Sequence, residues 1–160
     1  MIICGYHGIG KSTLAYMDSN ANYIDLESNL FYYNGERDKN WHIVYCNIAH
    51  SISKQDNVVF ISTHKEVRDY LKTTLWTKGI CYPSLELKDF WIKKLEERYN
   101  QTKLDKDYRA WYSSVNNYTN NIRELENQDG FVKYAIKSED YDLARILKDC
   151  WSEKWKKWKK

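Results

Sequence analysis

Proline is nearly absent from this 160-residue chain: Pro83 stands alone, beside only six glycines. Collagen-like and proline-rich linker architectures are thereby excluded. No run of about 20 apolar residues occurs, and Met1 leads into a short apolar stretch with neither a charged leader nor a signal-peptide core. The expectation is a cytoplasmic protein with no membrane association. The four cysteines, Cys4, Cys46, Cys81 and Cys150, are too scattered for a CxxC metal knuckle. A chain of this length buries about 70% of its unfolded surface and needs no disulfides, so free thiols in a reducing compartment are expected. No His, Cys, Asp or Glu set has metal-site spacing. Charge of one sign is also missing: 25 basic residues face 22 acidic ones, and the net of +3 does not by itself argue for nucleic acid.

The composition is globular, with 42% hydrophobic and 29% charged residues. It fits a single domain spanning 1–160. Residues 1–4 read as a buried strand, 5–10 as a loop, 11–18 as a helix and 23–26 as a second strand. Asp38 is placed to cap a helix carrying Trp41, Tyr45, Ile48 and Ile52. Residues 57–62 (NVVFIS) form the clearest central strand. Thr63 and Glu66 have capping-box spacing for a helix with Val67, Leu71 and Leu75 on one face. Residues 79–82 give a fourth strand, stopped by Pro83. Two helices follow, one lined by Leu87, Phe90, Trp91, Leu95 and Tyr99. The other is lined by Tyr108, Trp111, Tyr112, Val115, Thr119, Ile122 and Leu125. Gly130 opens a fifth strand over 131–136, and a last helix carries Leu143, Leu147, Cys150, Trp151, Trp155 and Trp158. This alternation predicts an α/β fold with a parallel sheet covered on both faces.

Gly5-Tyr6-His7-Gly8-Ile9-Gly10-Lys11-Ser12 satisfies GxxxxGK[ST] in full. The two outer glycines allow the backbone to turn and approach an anion. Successive N–H groups of Gly5, His7, Gly8, Ile9, Gly10, Lys11, Ser12 and Thr13 would cradle phosphate oxygens. Lys11 would reach the β- and γ-phosphates, and Ser12 would hold Mg²⁺. Chance produces the pattern in about 0.5% of chains this long, and here it also lies between a strand and a helix. Asp25 and Glu27 end the second strand at the edge where open α/β sheets bind ligands. A carboxylate there could take a proton or hold a metal-bound water; the plainer alternative is a solvated strand end. The apolar run 57–61 ends in Ser62, Thr63 and His64, so the usual Walker B acid is missing, which argues against a motor ATPase. His64 either simply opens a helix or contacts substrate from the ligand edge.

The runs GYHGIGKST, YIDLES, VVFISTHKEVRDYL and YPSLELKDFWIKKLEERY resemble small P-loop kinases of the nucleoside monophosphate kinase (adenylate-kinase-like) superfamily. They look most like the compact nucleotide kinases encoded by bacteriophages and large DNA viruses. The resemblance covers about residues 1–147. It implies a three-layer P-loop NTPase fold with five parallel strands in the order 2-3-1-4-5. It further implies ATP and Mg²⁺ as cofactors and a helical lid over about 93–128, the core being about 1–92 and 129–160. Arg98 sits where such kinases place a lid arginine, with Arg109 and Lys94 as weaker candidates. Asp25 matches the acid ending strand two, and Arg68 matches a substrate-contacting arginine. The chain departs from the family at Ser62-Thr63-His64-Lys65, where an acidic or arginine-bearing run is usual, and its lid segment lacks a multiple-arginine run.

The expected activity is transfer of the γ-phosphoryl of ATP to a (deoxy)nucleoside monophosphate. Lys11, Asp25 and Arg98 would be catalytic, and Asp25, Glu27, His64, Arg68 and Arg109 would line the acceptor site. Two alternatives stay open: a 5′-hydroxyl polynucleotide kinase, and a nucleotide-binding interaction protein without turnover. The tail, with five lysines among its last seven residues interleaved with Trp155 and Trp158, reads first as a helix packing on the core or a second subunit. Its second reading is a nucleic-acid contact, and a membrane-interface helix is the third. A monomer or a homodimer is expected.

Overall fold

The computed structural model describes residues 1–18 and 22–148. Five strands, β1 (Ile2–Gly5), β2 (Tyr23–Asp25), β3 (Val58–Ile61), β4 (Lys78–Pro83) and β5 (Val132–Ile136), form one sheet in the order β2-β3-β1-β4-β5. Every pairing is parallel, with Ile3 opposite Phe60 on one side and Gly79 on the other, and Ile80 opposite Lys133. β1, β3 and β4 are buried at every position, whereas the edge strands β2 and β5 are only partly covered. That explains the unbroken apolar runs of β1 and β3, whereas β4 opens on a buried Lys78 whose ammonium bonds to the Thr74 and Trp76 carbonyls.

The connections are helical: α1 (Lys11–Met17), α2 (Trp41–Ser53), α3 (Lys65–Lys72), α4 (Lys88–Thr102) and α5 (Asp105–Glu126). They lie on both sides of the sheet. α2 and α3 pack on one another, with α2 against β3 and β1, while α4 and α5 form a tight hairpin and α5 meets β4. Lys103 turns that hairpin in the left-handed region at φ 53°. Residues 143–148 are helical as well, with Leu143 and Leu147 buried. Among the described residues no helix is long and apolar enough to cross a membrane. Cys4, Cys46 and Cys81 are buried thiols. Cys150 and the tryptophan–lysine tail lie outside the described residues.

Three local expectations change. Thr63 and Glu66 form no capping box: α3 begins one residue later, His64 occupies the cap with no side-chain bond to the helix amides, and the Thr63 carbonyl accepts from Arg68 Nε at 3.0 Å. Leu75 is fully exposed, because α3 ends at Lys72 before the stripe can continue. The inward face of α5 is Asp107, Ala110, Ser114, Tyr118, Ile122 and Leu125, whereas Tyr108, Tyr112 and Val115 are exposed. Two polar residues on the inward face displaced the apparent stripe toward its neighbours.

Candidate functional site

All five strands point their C-terminal ends the same way, so the turns that follow β1, β2 and β3 gather at one edge of the sheet. A cavity of about 770 Å³ opens there, walled by Gly5 and residues 7–13, by 25–29, by Ser62, Thr63 and His64, and by the facing surface of the α4–α5 hairpin.

The glycine loop after β1 is held by its backs and sides. Gly8 and Gly10 adopt φ of 78° and 98°, a region where a side chain is strained. At Gly5 a β-carbon would lie 2.6 Å from Lys11 Cδ and 2.8 Å from Ile9 Cδ1, so only glycine lets Lys11 fold back over the strand end. Three consecutive carbonyls of the loop face away from the cavity into donors. Trp91 Nε1 donates to His7 O at 2.7 Å, and the Tyr141 hydroxyl lies 3.2 Å from Gly8 O and 3.0 Å from Ile9 O. Ile9 is buried, as is Tyr6, whose hydroxyl meets Ser114 Oγ at 3.1 Å. Gly10 O accepts the first helical bond, from Leu14 N. The amides of Lys11, Ser12 and Thr13 precede that bond and have no intrahelical acceptor.

Lys11 Nζ donates to Gly5 O at 2.9 Å and approaches Tyr6 O at 3.4 Å. Burial lowers its pKa, with Asp25 and Glu27 pulling the other way. Ser12 Oγ donates to Asp25 Oδ2 at 2.5 Å, which joins the loop to the end of β2. Both are hard oxygen donors, the chemistry that a Mg²⁺ ion accepts. His7 is held down to about 3 by burial and by the nearby Lys11 charge, so its ring is neutral at physiological pH.

The hairpin brings cations to the same space. Arg98 Nε pairs with Asp107 Oδ1 at 2.8 Å, and Thr102 Oγ1 donates to the other Asp107 oxygen at 2.6 Å. Asp107 is only 3% exposed, so this carboxylate is a fixed post for Arg98. Lys106 reaches across to Glu27 at 3.5 Å. Arg109 pairs with Asp105 at 2.9 Å, and its Cζ lies 5.8 Å from the Tyr32 ring centroid. Lys94 donates to the Tyr141 hydroxyl at 2.6 Å between the Trp91 and Tyr141 rings; burial, then Arg98, lowers its pKa. In all, six lysines and arginines face three carboxylates around the cavity, which suits a polyanionic ligand.

The structure thus brings together Gly5, His7, Gly8, Ile9, Gly10, Lys11, Ser12 and Thr13 with Asp25, Glu27, His64, Arg98 and Arg109. Arg68 is the exception. It is 4% exposed and consumed by Glu124 Oε1 and Gln128 Oε1, each at 2.6 Å, and it ties α3 to the end of α5 away from the cavity. The arginine that does line the wall beside β3 is Arg37, which sequence reasoning missed together with Asp107 and Lys106. Arg37 follows a turn with Asn34 and Gly35 at positive φ, and no spacing rule connects it to Ser62 or His64. Among the described residues no group of three or more His, Cys, Asp and Glu side chains could hold a metal. No family model and no curated protein matches the sequence.

Proposed function

We propose that the chain is an ATP-dependent phosphotransferase that moves the γ-phosphoryl of ATP to a (deoxy)nucleoside monophosphate, built on the P-loop NTPase architecture. The observation that carries this reading is the meeting of Lys11, Ser12 and Asp25 at the glycine loop in a cavity lined from the hairpin by Arg98 and Arg109. Phosphoryl transfer is mainly positioning and charge stabilisation, and these residue types supply both.

In this reading the loop amides and those at the start of α1 receive the phosphate oxygens, and the outward tethering of the His7, Gly8 and Ile9 carbonyls turns the amides of Gly8, Ile9 and Gly10 inward. Lys11 exchanges its bonds to Gly5 O and Tyr6 O for the transferring phosphate. Ser12 and Asp25 would hold Mg²⁺, and that ion would supply charge neutralisation for the phosphoryl oxygens. Asp25 also orients the acceptor or takes its proton. Arg98, fixed by Asp107, stabilises charge on the phosphoryl in flight. The α4–α5 hairpin acts as the lid, with its turn-proximal half over the cavity and the Lys106–Glu27 pair closing it on the β2 side. The half beyond Ser114 is core, as Tyr118 donates to Ser84 O at 2.8 Å in a buried contact.

Labelled ATP and Mg²⁺ with a panel of ribo- and deoxyribonucleoside monophosphates and a 5′-hydroxyl oligonucleotide test the reading. Label in a monophosphate, lost by at least about 100-fold in Lys11→Ala with the fold retained, is the expected result. Full activity in that variant would sink the site assignment. Label in the oligonucleotide alone makes the protein a nucleic-acid end kinase. ATP binding with no transfer makes it a nucleotide-binding protein, the outcome favoured if Ser62, Thr63 and His64 leave the end of β3 without a needed acid.

A further inference from the structure

Arg37 enters the cavity wall from the segment between β2 and α2. One terminal nitrogen, Nη1, lies 3.0 Å from His64 Nε2, and the other, Nη2, donates to Ser28 Oγ at 3.3 Å. The guanidinium carbon lies 4.2 Å from the Trp41 ring centroid and 5.3 Å from that of Tyr32. Its Nε is buried with no hydrogen-bond partner. Among the described residues no carboxylate lies within ion-pair distance of it. Each other arginine at the cavity has such a carboxylate: Arg98 has Asp107 and Arg109 has Asp105.

The pairing with His64 fixes that ring's protonation. Arginine only donates, so Nε2 must accept, and the ring proton sits on Nδ1, where it donates to Ser62 Oγ at 2.7 Å. The imidazole is therefore a neutral acceptor. It orients the guanidinium but does not cancel its charge. A partly desolvated cation with no carboxylate in direct contact, Glu66 acting on it only from beyond ion-pair distance, favours a further anion at the cavity wall.

We infer that His64 is a positioning residue that presents Arg37, still fully charged, to a second anion at this wall, the phosphate monoester of the acceptor. The inference rests on the phosphotransfer reading, which supplies an acceptor bearing its own phosphate, and it replaces Arg68 with Arg37 as the acceptor-binding arginine. It also gives a physical reason for a neutral His64 at the end of β3. An acid at that position would grip Arg37 more firmly and neutralise it.

That contrast defines the experiment. Nucleoside 5′-monophosphates and their unphosphorylated nucleosides are titrated calorimetrically into the full chain and into His64→Gln, His64→Glu and Arg37→Gln, with and without a saturating non-hydrolysable ATP analogue and Mg²⁺. His64→Gln keeps a neutral acceptor and should stay within about threefold of the parent. His64→Glu and Arg37→Gln should weaken monophosphate binding at least about tenfold, with nucleoside binding little changed. A merely structural role for His64 predicts the reverse order, with His64→Glu equal to or tighter than the parent. That result would overturn the inference, as would a parent chain that binds no monophosphate or binds nucleosides equally well. Failure of the analogue to bind strikes the glycine-loop reading instead, and the Arg37 site is then decided by the titrations without it.

Discussion

The indole nitrogen of Trp91 donates to the carbonyl oxygen of His7 at 2.7 Å, so a helix 84 residues away in sequence sets the outward face of the glycine loop. Trp91→Phe keeps an aromatic ring but removes this donor and part of the indole packed beside Lys94 and Tyr141. It should lower stability by about 1–2 kcal/mol in urea unfolding and weaken binding of an ATP analogue. A change under about 0.5 kcal/mol with unaltered affinity would mean that the bond does not hold the loop.

The loop glycines separate backbone strain from steric exclusion. Gly10 and Gly8 both have positive φ, but a β-carbon on Gly10 meets nothing within 4 Å, whereas on Gly8 it would sit 2.9 Å from Leu95 Cδ2. Gly10→Ala should therefore lose about 1–2 kcal/mol from backbone strain alone. Gly8→Ala adds overpacking against α4 and should lose about 1–3 kcal/mol more. Equal losses, measured by thermal or urea unfolding, would contradict the described approach of α4 to the loop.

Asp107 and Arg98 should behave as a coupled pair. Asp107 is 3% exposed and Arg98 about 43% exposed, so solvent screening reduces the worth of the pair below that of a fully buried one. A double-mutant cycle with Asp107→Asn and Arg98→Gln should return about 0.5–2 kcal/mol of coupling. In transfer assays Asp107→Asn should lower kcat more than it raises the KM for ATP, because it misplaces Arg98 and leaves the glycine loop intact. Additive single variants would remove Asp107 from the argument.

His7 makes stability depend on acid. Its folded pKa is about 3 and its ordinary value 6.5, so the unfolded chain takes up the proton first. Above about pH 6.5 the group contributes no pH dependence. As pH falls from 6.5 toward 3 it removes stability at up to about 1.4 kcal/mol per pH unit. His64 is lowered for the same reason, burial, with Arg37 adding to it, and acts in the same direction. Urea unfolding between pH 7 and 4.5 should show the slope, and His7→Asn should flatten it. An unchanged slope would place the titration elsewhere.

The strands and the loop were legible in the sequence because each rests on a local rule. Unbroken apolar runs mark the buried strands β1 and β3, the short run before Pro83 marks β4, and GxxxxGK[ST] marks the turn after β1. The strand order came from the family resemblance and agrees with the sheet. The remainder depended on contacts that no local rule encodes. Arg68 and Arg37 are both isolated arginines flanking β3 in space, and only the fold shows that Glu124 and Gln128 occupy the first while His64 supports the second. On α5 the polar Asp107 and Ser114 face inward because Arg98 and Tyr6 await them there, so hydrophobic periodicity pointed to the adjacent face.

Tyr141 lies beyond β5, yet its hydroxyl reaches the carbonyl of Ile9, 132 residues earlier in the chain. In a protein made from its N-terminus, the loop leaves the ribosome well before Tyr141 and gains this support late. Until Tyr141 emerges, a nascent chain carries the complete sequence motif without the fully supported loop. Ribosome-stalled chains ending before and after Tyr141 should therefore differ in nucleotide retention, although both contain every residue of the motif. Competence for ligand would then wait on the emergence of Tyr141, in a single late step.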